Sequence, residues 1–166
     1  MLKGTIKSLT MAALLAASAI SAQAADYSIR ATANSNENDE DYDGLIVFKN
    51  YVESASNGAI EVELFIGTQL CSKGAECLQG VADGSIDVYI STSGGAAGIF
   101  PYVQVLDLPY LMADDRVAEH VLSGDFTRTV RKMALESSGD QIRLMTLGKP
   151  GGWRNFANTK RQGPTP

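Results

Sequence analysis

Apolar and polar positions repeat along this chain with two different periods. Ile60, Val62, Leu64 and Ile66 occupy every second position, interleaved with Glu61, Glu63 and Phe65, the period of a strand with one buried face. Tyr27–Ala33 predicts an earlier strand, and Ile86, Val88 and Ile90 a later one. Between them the repeat lengthens to that of a helix. Leu45, Phe48, Val52 and Ala55 share one helical face, with Asn57-Gly58 as the stop. Cys77, Leu78, Val81 and Ala82 form a second face that ends at Gly84. Val117, Ala118, Val121 and Leu122 follow a capping Asp114 or Asp115. Phe126, Val130, Met133 and Ala134 follow Gly124-Asp125 and run to Gly139. Residues 142–147 read as a near-continuous apolar strand. The order predicts an α/β fold with a parallel or mixed sheet and helices on both faces.

Ligands in such sheets bind beyond the carboxyl ends of the strands. Three loops therefore matter: residues 34–43, 91–98 and 148–155. In the second, Ser91-Thr92-Ser93-Gly94-Gly95 offers hydroxyls and backbone N–H groups to a ligand. It lacks the G-x-S-x-G elbow of a hydrolase and the Lys-Ser/Thr of a P-loop, and no convincing helix is expected behind it before Pro101. The single histidine, His120, is the only base a nucleophilic Ser93 could use, and its helical setting predicts exposure. In the third loop, Arg154 follows Trp153. A guanidinium presents parallel N–H donors that match a carboxylate, and an indole can wall off water. A surface arginine stacked on Trp153 is the plainer alternative.

The amino terminus changes the compartment. Lys3 and Lys7 precede an apolar run from Leu9 to Ile20, and Ala22-Gln23-Ala24 has the form accepted by signal peptidase. The run is too short to cross a bilayer, which takes roughly 20 residues. Residues 1–24 are thus expected to be a leader cleaved after Ala24, with residues 25–166 exported to the periplasm. In an oxidising compartment Cys71 and Cys77, at a spacing that excludes a C-x-x-C redox motif, can close a small loop. Two free, partly buried thiols are the alternative.

Composition narrows the remaining classes. A net charge of -5 leaves no basic stripe for nucleic acid. One histidine and two cysteines do not make a zinc site. Asp39-Glu40-Asp41-Tyr42-Asp43-Gly44 imitates the first half of an EF-hand loop, but its twelfth position is Asn50, so the bidentate ligand is missing. These acids suit instead the first turn of the following helix. No metal or cofactor is expected. The terminal Gln162-Gly163-Pro164-Thr165-Pro166 reads as linker, so further chain is expected beyond it.

Several segments, in order, carry a resemblance. They are Phe48-Lys49-Asn50-Tyr51-Val52-Glu53, Ser56-Asn57-Gly58-Ala59-Ile60-Glu61-Val62, Gly67-Thr68-Gln69-Leu70 and Leu78-Gln79-Gly80-Val81-Ala82-Asp83-Gly84-Ser85-Ile86-Asp87. Val105-Leu106-Asp107-Leu108-Pro109-Tyr110-Leu111 and Trp153-Arg154-Asn155-Phe156-Ala157-Asn158-Thr159-Lys160-Arg161 continue them. Together they resemble the N-terminal half of the dicarboxylate-binding solute-binding proteins of tripartite ATP-independent periplasmic (TRAP) transporters. The resemblance implies one lobe of a periplasmic-binding-protein-like clamp, truncated before the second lobe. It implies capture of a small organic acid, without catalysis, for a membrane permease driven by an ion gradient. Carried over by position, Arg154 is a ligand-contacting arginine, Thr92 and Ser93 are contacts after the third strand, and Asn34 and Asn36 belong to the first-strand loop. The family's main clamping arginine would lie beyond Pro166. The Cys71–Cys77 pair departs from the commonest family pattern. A binding protein of an ATP-driven importer or a sensor shares this lobe, and a secreted serine hydrolase stands as the remaining alternative.

Overall fold

In a computed structural model the described residues are 25–149, and they begin with β1 (Tyr27–Ala33). The strand is central because it is slim. Ala31 and Ala33 are fully buried, and their small side chains let a helix lie close against the sheet. That helix is α1 (Glu40–Ala55), whose Leu45 is buried against Ala31, Ala33 and Val62, with Phe48 and Val52 beside it. Glu40, Asp41 and Asp43 occupy its first turn, where carboxylates meet the positive end of the helix dipole. Asn57 and Gly58, both at positive φ, reverse the chain after it, as the sequence predicts.

β2 (Ile60–Ile66) pairs parallel with β1, from Tyr27 opposite Ile60 to Ala33 opposite Ile66. α2 (Gly74–Asp83) ends on Gly84 in the left-handed region and leads to β3 (Val88–Ile90), parallel to β1 on its other edge. The sheet order is β2-β1-β3. β3 is shorter than the alternation of Ile86, Val88 and Ile90 predicts. Ile86 leaves the ladder to bury against Cys71 and Cys77 under α2. α1 covers the face of Ala31, Val62 and Val88, and the α2 cluster, with Tyr89, covers the opposite face near β3.

Two expectations are corrected. Residues 93–96 form a short helix, α3 (Ser93–Ala96), capped by Thr92 Oγ1 accepting from Gly95 N at 3.1 Å, and a 3-10 helix (Pro101–Asp107) follows. Proline at the start of that turn begins it instead of ending the structure before it. Residues 142–147 form no strand. Among the described residues no strand lies alongside them, and an apolar run cannot supply its own ladder partner. Leu144 and Leu147 pack instead on a second cluster of Phe100, Val103, Val130 and Ala134, and Arg131 Nε donates to Leu144 O at 3.0 Å. That cluster is built on α5 (Asp125–Ser137), preceded by α4 (Asp115–Ser123), whose first turn is capped by Asp114 accepting from Val117 N. No helix among the described residues is long and apolar enough to cross a membrane.

Candidate functional site

The strand register builds the site. Ala33 is opposite both Ile66 and Ile90, so the three parallel strands end level. Asn34-Ser35, Gly67 and Ser91-Thr92 therefore emerge side by side at the carboxyl edge of the sheet. Gly67, at φ 71°, turns the chain there and donates its N–H to Ser35 O at 2.8 Å.

Asn34 holds this edge together. Its Nδ2 donates to Cys71 O at 3.0 Å, and its Oδ1 accepts from the Tyr89 hydroxyl at 2.5 Å. The Cys71 carbonyl can only accept, which fixes the orientation of the amide. Cys71 and Cys77 are joined in a disulfide and both are buried. Cys77 Sγ lies 3.4 Å from Asn34 Oδ1, a contact and not a hydrogen bond, because a bridged sulfur carries no proton. Tyr89 was not a sequence candidate. It is the odd position of an apolar strand, and its only signal is a hydroxyl-bearing ring next to the strand's end.

Beside this network stand two acids. Burial pushes the Asp41 carboxyl above the usual carboxylate range; the neighbouring Ser35 hydroxyl opposes that rise, and Asp39 and Glu40 add to it. Ser35 Oγ is buried next to the carboxyl without reaching a hydrogen bond of ordinary geometry. Burial also raises the Tyr89 phenol, an effect that Ser91 opposes and that the field of Asp41 reinforces. The second acid is Asp107, whose Oδ1 accepts from Ser93 Oγ at 2.5 Å and ties α3 to the 3-10 helix.

The structure brings Asn34, Thr92 and Ser93 to one edge. Each is also engaged: Asn34 by Cys71 and Tyr89, Thr92 by the α3 cap, Ser93 by Asp107. Asn36 is exposed, and its Oδ1 accepts from Asn38 N within its own loop. His120 is exposed on α4, as expected. The leader over residues 1–24, Trp153 and Arg154 lie outside the described residues.

The model of the bacterial extracellular solute-binding proteins, family 7, matches residues 31–166. The chain belongs to this family. A relative within reach is the 2,3-diketo-L-gulonate-binding periplasmic protein YiaO of Escherichia coli K12, 29% identical over 152 residues, covering 92% of this chain and 44% of that protein. Among solved structures, a TRAP periplasmic solute-binding protein of Desulfovibrio salexigens with bound orotic acid is 26% identical, with a TM-score of 0.62, covering 68% of this chain and 36% of that one. A TRAP solute-binding protein of Sulfurospirillum deleyianum with bound succinate shares the fold at 23% identity and a TM-score of 0.63, with the same coverage. This family 7 chain thus spans less than half the length of the relatives it matches.

Proposed function

We propose that this chain supplies the N-terminal, ligand-facing lobe of a periplasmic solute-binding protein of a TRAP transporter, which captures a small organic acid anion and passes it to the membrane permease. The observation that supports this best is the level carboxyl edge formed by β1, β2 and β3 in a chain of this family. The ligands named for its relatives, diketogulonate, orotate and succinate, are all carboxylic acids. Asn34, Ser91, Thr92 and Ser93 give the edge hydrogen-bonding groups but no positive charge. A carboxylate needs a cation in such a crevice, and Arg154, with Trp153 screening it from water, is the residue proposed for that role. Binding then favours a closed state that the permease recognises.

The test is a thermal-shift and calorimetric screen of organic acids on the full-length gene product, followed by Arg154→Ala. Loss of the guanidinium leaves a desolvated carboxylate unpaired and weakens binding of the best acid by about 2–4 kcal/mol. A loss below about 0.5 kcal/mol removes Arg154 from the site, and a screen in which only neutral or cationic solutes bind removes the proposal.

A further inference from the structure

The disulfide is the feature that the proposed function leaves without a task. It does not lie remote from the ligand edge. The bridge is buried on the face of the sheet that carries Tyr89, in a cluster with Ile86, Leu70, Val81 and Tyr89. Both of its ends meet one side chain: Cys71 O accepts a hydrogen bond from Asn34 Nδ2, and Cys77 Sγ packs on Asn34 Oδ1. Asn34 in turn receives the Tyr89 hydroxyl. The chain of contacts therefore runs from the bridge to Asn34, the first residue past β1, and on to Tyr89, two residues before Ser91 on β3. At its far side, Gly74 at the start of α2 touches Gly95 of α3, so the loop closed by the bridge also abuts the Thr92-Ser93 turn.

We propose that the Cys71–Cys77 bridge is a positioning device of the ligand site. It holds the Cys71 carbonyl where Asn34 can reach it, and Asn34 fixes the Tyr89 phenol at the edge. Asn34 is then a positioning residue at the exposed edge, its amide engaged by Cys71 and Tyr89. Opening the bridge is a two-electron, two-proton reduction by an added dithiol, which becomes a disulfide. It frees the Cys71 segment, unseats Asn34 and lets the Tyr89 hydroxyl turn away. Ligand affinity is thereby tied to the oxidised state of the bridge. The argument rests on the solute-binding reading of this edge.

The experiment compares the full-length protein, oxidised and dithiothreitol-reduced, with Asn34→Ala, Tyr89→Phe and the Cys71→Ser/Cys77→Ser variant. Succinate, orotate and 2,3-diketo-L-gulonate serve as probes. A second measurement, which needs no ligand, follows the Asn34 side-chain amide by NMR hydrogen exchange. Reduction is expected to speed Asn34 amide exchange and to weaken the best probe about tenfold, the size of one lost hydrogen bond. In Asn34→Ala the same reduction then changes affinity less than about twofold, because the link is already cut. The inference is overturned if the amide exchanges equally in both redox states, or if reduction weakens binding as much in Asn34→Ala as in the parent. It is overturned too if reduction lowers only the melting temperature. If none of the probes binds the oxidised protein while the amide still responds to reduction, it is the choice of ligand that fails and not the link.

Discussion

Glu53 shows how one side chain joins a helix to a strand. Lys49 Nζ reaches Glu53 Oε1 and Val62 O, each at 2.6 Å, while Val62 N donates to Glu53 Oε1 at 3.0 Å. The Lys49 ammonium, aided by the Val62 N–H, holds the Glu53 carboxyl below its ordinary value of 4.5. A carboxyl depressed by folding adds stability above its unfolded pKa and loses it as the pH falls through the folded one. Stability should therefore decline on acidification from about pH 4.5 downward, with Glu53 carrying part of the decline. Glu53→Gln keeps an acceptor for Val62 N but drops the charge. Its urea midpoint should be lower than the parent's near neutrality, and the gap should close in acid. Midpoints measured at intervals between about pH 7 and about pH 3 decide it, and two parallel curves would dismiss the role. None of this pairing could be seen in the sequence, where Glu53 and Lys49 are merely an i,i+4 pair on a predicted helix and Val62 is a core position.

At the scale of elements, the strands announced themselves where alternation was strict. β1 and β2 span the predicted residues because their periods of two continue without a break to the turn glycines and asparagines. Residues 142–147 are also largely apolar but form no strand, since pairing depends on a neighbour far away in sequence. The contact of α2 with α3 was also beyond reach. It depends on two glycines, Gly74 and Gly95, meeting backbone to backbone. A Cβ on Gly74 would fall 2.7 Å from Gly95 Cα, and neither backbone can rotate aside as a side chain does. Gly74→Ala should push α2 off α3 and cost about 1–3 kcal/mol, as overpacking does elsewhere. Gly94, one residue away from that contact, faces open space. Gly94→Ala should be neutral or stabilise by up to about 1 kcal/mol, by restricting the unfolded chain. Chemical denaturation of the two variants checks the pair. Equal effects would mean that the glycines matter for flexibility and not for contact.

At the scale of the molecule, the buried side chains among the described residues fall into separate groups. Ala31, Ala33, Leu45 and Val62 are at most 1% exposed and sit between the sheet and α1, where β1 pairs with both neighbours. Phe100, Val103, Val130 and Ala134 are 5–8% exposed and join α5 to the 3-10 helix without a strand among them. Around the second group the surface stays apolar, with Tyr102 at 63%, Leu108 at 55%, Tyr110 at 87% and Met145 at 68% exposed. Local stability follows how much backbone and side chain each unit buries. The sheet and α1 should thus open only with global unfolding, whereas α4 and α5 open on their own. In the 166-residue chain, native-state hydrogen exchange should find α5 amides such as those of Val130 and Ala134 exchanging at least about tenfold faster than those of Ala31 and Val62. Any longer form of the protein whose added chain packs over Tyr102, Leu108 and Tyr110 would show slower α5 exchange and an unchanged sheet. If α5 is as protected as β1 in the 166-residue chain, the two clusters form one cooperative core and the division fails.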